Sequence, residues 1–106
     1  MLKMFDIFWD LYPKKVNRHA ASQEWIRIFE HGEFEFEDIM LGLEYARRSK
    51  SWVEDDDGHG RYIPSPVRWL EERRWMDRPT LCEAFVGIPI DVRKLIYSEG
   101  GIFQHD

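Results

Sequence analysis

The chain has 106 residues, 43% of them apolar and 33% charged, with a formal net charge of −5. That length fits one domain with its own core, and the balance excludes wholesale disorder. The acidic sum disfavours non-specific duplex-DNA binding, because phosphate neutralisation supplies most of the affinity of such proteins.

The spacing of Phe5, Phe8, Trp9 and Tyr12 at i, i+3, i+4 and i+7 predicts a first helix over about residues 3 to 12, with the rings as a buried stripe. Pro13 stops it, since a residue before proline is pushed out of the helical region. Asn17 is placed as the N-cap of a second helix to about Glu30, burying Ala21, Trp25, Ile28 and Phe29, with Gly32 ending it in a left-handed conformation. A third helix from about Phe36 to Lys50 turns Ile39, Met40, Leu43 and Ala46 inward. Its acidic start and basic end both suit the helix dipole.

The stretch from Ser51 to Pro64 is a loop by composition, compatible with a short β-ribbon of Trp52-Val53 against Tyr62-Ile63. Ser65-Pro66 reads as an N-cap followed by proline at the first helical position, opening a fourth helix through about Trp75 with Trp69 and Leu70 inward. After Asp77-Arg78-Pro79, Thr80-x-x-Glu83 has the pattern of a capping box. Asp91 is placed to start a last helix through Tyr97, ended by Gly100-Gly101. The expectation is an all-α bundle of four to six helices, with residues 1–78 as the main module and 79–106 as a helical extension of the same domain.

No apolar run approaches the roughly 20 residues of a membrane span, and Asp6 and Asp10 interrupt any signal-peptide core. The single cysteine, Cys82, leaves no internal disulfide, and the four histidines give it no zinc-ligand spacing. A cytoplasmic protein without metal or cofactor is expected. Asp55, Asp56, Asp57 and His59 are adjacent, but they lack the alternating spacing of a calcium-binding loop. No Gly-rich phosphate loop, nucleophile elbow or Cys–His pairing is visible, so the chain reads as a binding module and not an enzyme.

Two ring-rich blocks stand out. Phe-x-x-Phe-Trp-x-x-Tyr-Pro-Lys-Lys spans Phe5 to Lys15, and Tyr-Ile-Pro-x-Pro-x-x-Trp-Leu spans Tyr62 to Leu70, closed by Trp75 and Asp77. With Ala20, Ala21, Trp25 and Trp52 between them, their order resembles the C-terminal module of phage and prophage replication-initiation proteins, helicase-loader-like and primosomal in role. The resemblance covers residues 4 to 78. It implies a role near replication initiation, in contact with a replicative helicase or single-stranded DNA.

Charge is segregated along the chain. Lys14, Lys15 and Arg18 form one basic cluster, Arg47, Arg48 and Lys50 a second, and Arg73, Arg74 and Arg78 a third. From these, Lys14, Lys15, Arg18, Arg47, Arg48, Arg73 and Arg74, together with Arg61 and Trp52, are the candidate contacts to nucleic acid or partner: phosphates for the cations, a base for the ring. Trp52 and Trp75 flank element ends, where one of them is expected to be part-exposed. Acid gathers at Glu33, Glu35, Glu37 and Asp38, and again at Glu54, Asp55, Asp56 and Asp57. The alternative function follows from the acid. A small phage-encoded inhibitor, such as an anti-CRISPR protein, would use it to occupy the basic surface of a host nucleic-acid-processing protein. A third reading is a homodimer formed through the tail after Pro79.

Overall fold

A computed structural model describes residues 2–32, 34–55 and 62–98, and among these it contains six α-helices and no strand. They are α1 (Leu2–Leu11), α2 (Arg18–His31), α3 (Phe36–Arg47), α4 (Lys50–Glu54), α5 (Pro66–Glu71) and α6 (Val92–Ser98), with 3₁₀ turns at Arg74–Met76 and Glu83–Phe85. The all-α expectation holds. No helix among the described residues is long and apolar enough to cross a membrane.

The core is a continuous path of rings. Trp25 on α2 meets Phe5 and Phe8 of α1 at 5.7 and 5.1 Å between centroids, and Phe29 and Phe36 at 5.0 and 6.1 Å. Phe8 continues to Trp69 on α5 at 5.7 Å, and Trp69 to Trp75 at 6.0 Å. Tyr12 closes the near end, 5.4 Å from Trp52 and 6.0 Å from Trp69. The stripe Phe5, Phe8, Trp9 and Tyr12 is buried, as its spacing requires, and so is the inward face of α3. Such edge-to-face and tilted pairs add about 0.5–1.5 kcal/mol each beyond area burial. The indole N–H groups of Trp25 and Trp75 are buried without an acceptor, at a cost on the order of 1–3 kcal/mol each.

Several local expectations are corrected. Asn17 does precede α2, but it sits in the left-handed region at φ 55° and its side chain caps nothing. Gly32 ends α2 as anticipated, at φ 68° with its N–H on the Phe29 carbonyl. Helix α3 stops at Arg47 because Ser49 is extended and begins α4 as its N-cap, its hydroxyl accepting the Trp52 N–H at 3.3 Å. The β-ribbon is therefore absent, its first arm being helical. The one bridge among the described residues joins Ser49 to Leu81, flanked by Lys50 N–H on the Thr80 carbonyl at 2.9 Å and Cys82 N–H on the Arg48 carbonyl at 2.8 Å. That pairing also overturns the Thr80 capping box: the Thr80 carbonyl pairs with Lys50, and the residue that precedes the 3₁₀ turn is Cys82, extended and without a side-chain cap. Ser65 and Asp91 behave as expected, accepting the Arg68 and Lys94 N–H groups. The Gly100-Gly101 stop lies outside the described residues.

The fourth helix ends early, and the reason is packing. Arg73 adopts φ 55°, which breaks α5 and swings Trp75 onto α3. There Gly42 leaves room for it: a Cβ at position 42 would lie 2.2 Å from the Trp75 carbonyl oxygen and 2.4 Å from its Cα. Both Trp75 and Ile96 of α6 are buried, and their elements pack on α3, so the extension shares the main core.

The segment Tyr62–Pro64 has no strand partner among the described residues. Its backbone is held by side chains instead. The Asp55 carboxylate accepts the Tyr62 and Ile63 N–H groups, both at 3.2 Å. Lys14 donates to the Ile63 carbonyl at 3.2 Å, and the Tyr12 hydroxyl to the Pro64 carbonyl at 2.7 Å. Burial pushes the Tyr12 phenol well above its ordinary value of 10.0, against a smaller lowering influence of Arg74.

Two stability predictions follow from this packing. Gly42→Ala should lower the free energy of unfolding by about 1–3 kcal/mol in urea titrations, since the added methyl meets backbone and cannot rotate away. Tyr12→Phe should cost about 1 kcal/mol at neutral pH by stranding the Pro64 carbonyl. Because the Tyr12 phenol titrates higher when folded than when unfolded, wild-type stability should hold below pH 10 and decline above it. The Phe variant should show a shallower alkaline decline, and an equal decline in both proteins would refute the assignment.

Candidate partner-binding surface

The basic candidates do not form a free patch. Lys15 donates to the Tyr12 carbonyl at 2.7 Å and so serves the open C-terminal end of α1, beside Lys14 on Ile63. Arg18 pairs with Asp6 and lies 5.3 Å from the ring centroids of both Phe5 and Trp9. That exposed pair contributes at most about 1 kcal/mol, so Arg18's larger role is to cover the rings. Arg47 and Arg48 share the carboxylate of Glu44 at 2.9 and 2.8 Å. Arg48 also donates to the Ile88 carbonyl at 2.7 Å and lies over Phe85, fastening the tail to the end of α3.

Arg73 lies over Phe34 at 5.0 Å, and Arg78 over Tyr45 at 4.5 Å. Arg74 reaches Glu72 and Asp77 at 3.5 and 3.3 Å. Trp52 is only 9% exposed, so it is a core ring and offers no face to a base. Trp75 is buried likewise, so neither of the two tryptophans is the part-exposed ring expected. Arg61, Asp56 and Asp57 lie outside the described residues.

The acidic candidates divide. Asp55 is 4% exposed and anchors the Tyr62–Pro64 segment, so it is a fold residue and does not belong to a docking face. Glu54 is exposed. Glu35, Glu37 and Asp38 are exposed at the start of α3, and none forms an ion pair among the described residues.

Two depressions open on the surface. A smaller one, about 110 Å³, lies between Ser51, Trp52, Tyr62 and Arg74, with the 54% exposed Tyr62 among its lining residues. A larger one, about 270 Å³, is lined by Phe34, Asp38, Leu41, Trp75, Met76 and Arg78. Sequence reasoning missed the larger one. The available signal was Leu41, which falls beside the inward stripe of α3, together with Phe34 and Met76, which belong to no helical period.

A family model described as the Legionella vir region protein LvrA C-terminal domain matches residues 2–73. The chain belongs to this family. The match takes in α1 to α5, the ring path from Phe5 to Trp69 and the Tyr12–Pro64 hydrogen bond, so the LvrA C-terminal domain likeness covers the part of the core that both aromatic blocks build. It stops before Trp75, leaving most of the larger depression's 3₁₀ wall beyond it. No curated protein and no solved structure matches the chain.

The two acidic residues at the end of α4 should separate by role. Asp55→Ala should cost about 1–3 kcal/mol of stability, because two backbone N–H groups lose their acceptor. Glu54→Ala, at an exposed site, should stay within about 0.5 kcal/mol of wild type. Thermal unfolding of both variants checks this, and equal losses would contradict the anchoring role of Asp55.

Proposed function

We infer that this domain is a non-enzymatic docking module that binds a protein partner belonging to a nucleic-acid-processing machine. The partner class comes from the resemblance of the two aromatic blocks to phage replication modules, which implies a replicative helicase. What carries the choice of protein over nucleic acid is the state of the arginines. Arg18, Arg47, Arg48, Arg74 and Arg78 are all engaged with carboxylates, carbonyls or rings of the domain itself. Glu35, Glu37, Asp38 and Glu54 meanwhile are exposed, and none forms an ion pair among the described residues. A surface of that kind repels phosphate and suits a basic protein face.

The same exposed carboxylates on α3 favour a second reading, that of a phage-encoded inhibitor which covers the nucleic-acid site of a host protein. The two readings differ in the partner and share the face.

A pull-down from host lysate, with and without nuclease, tests both, alongside fluorescence anisotropy with a thymidine oligonucleotide. The expected result is nuclease-resistant capture of a helicase, with oligonucleotide binding weak and unchanged by Lys14→Ala with Lys15→Ala. Capture of a CRISPR effector supports the second reading. Salt-sensitive oligonucleotide binding that the double variant abolishes overturns the preference for protein. Retention of neither protein nor oligonucleotide removes both readings.

A further inference from the structure

We propose that the depression between the start of α3 and the Arg74–Met76 turn is a docking groove for a basic, amphipathic helical segment of a protein partner, one of whose large apolar side chains enters it. The proposal rests on the reading of the domain as a protein-binding module and specifies where and what it binds. At about 270 Å³ the depression has room for roughly nine waters, enough to seat a large side chain in their place.

Its lining is mixed. Phe34, Leu41 and Met76 supply apolar surface over the buried Trp75, and Asp38 and Arg78 supply the polar surface. Met76 is 62% exposed. An unbranched, polarizable methionine at such an edge can repack around different shapes, which suits a docking surface.

The charge around the groove selects the partner. Asp38 belongs to the lining, and Glu37 and Glu35 are exposed beside it on the same turn of chain. The dipole of α3 accounts for acid at Glu37 and Asp38, and neither forms an ion pair among the described residues. Arg78 lines the same depression and has its contacts elsewhere. Arg78 lies over Tyr45 and donates to the Trp75 and Asp77 carbonyls, while Arg73 lies over Phe34. A groove with Phe34, Leu41 and Met76 in its lining and three exposed carboxylates at the start of α3 is complementary to a helix with an apolar stripe flanked by lysine or arginine. Nucleic acid fits poorly, because its phosphates would face the carboxylates.

The test uses the whole chain and three probes, with the methyl groups of Met76 and Leu41 followed by NMR. The first probe is a synthetic amphipathic peptide of about 18 residues, built from leucine and lysine at helical spacing. The second replaces every lysine by glutamate, and the third is a thymidine oligonucleotide. The lysine peptide should shift both methyl groups and the glutamate peptide should not. Met76→Asp should weaken that binding about ten-fold, and so should Glu37→Lys with Asp38→Lys. Val86→Asp, at a 64% exposed site in the tail, should leave it unchanged.

Unmoved Met76 and Leu41 methyls overturn the groove, as does an equal response to both peptides. In either case the wider docking reading still stands or falls on the pull-down. A response of the two methyls to the oligonucleotide overturns the protein occupant.

Discussion

The hydroxyl of Tyr12 sits among rings, where a phenol must find an acceptor or lose stability, and the acceptor it finds is the Pro64 carbonyl. Most of the remaining fold is arranged around that contact. It joins the last ring of one aromatic block to the third residue of the other. Pro64 has no N–H and its segment has no strand partner among the described residues, so the chain approaching α5 depends on side chains from three places: Tyr12, Lys14 and Asp55. Once Pro64 is fixed, Ser65 and Pro66 open α5 at a set position. Trp69 then lands between Phe8 and Trp75, and the ring path is complete.

A ring-rich core this close to the surface exposes aromatic faces, and arginine covers them. The planar, weakly hydrated guanidinium is suited to lie on a ring while its N–H groups find carbonyls or carboxylates. Arg18, Arg48 and Arg78 do both, and Arg73 lies over Phe34. These four charges, which look like a nucleic-acid footprint in the linear sequence, thereby serve the fold. Exposed carboxylates on α3 and α4 stand alongside exposed Lys50, Arg93 and Lys94, with a net charge of −5.

The helical class and the inward faces were legible because they depend on local spacing. The Phe5–Tyr12 stripe, the Trp25 face of α2, the Ile39–Ala46 face of α3 and the Ser65-Pro66 start all follow from period and capping chemistry. What was not legible depends on contacts distant in sequence. Nothing near Asp55 announces that its carboxylate will take backbone groups seven and eight residues on. Nothing near Arg73 announces a left-handed break, and the room for the turn that follows it is left by the bare backbone of Gly42, far away on α3. The surface was misjudged for the same reason. A cluster of arginines in sequence carries no sign of which rings each will cover, and Met76 has no periodicity to mark it as a groove wall.

The fit of Trp75 on Gly42 also ties two parts of the chain together. The family likeness ends at residue 73, just before the turn that brings Trp75 onto α3. Position 42 lies inside the matched region, yet its lack of a side chain serves a residue outside it. The tail beyond α5 is therefore seated by a vacancy in α3: a single hydrogen in place of a side chain, some thirty residues upstream, sets the face along which the chain leaves the matched region.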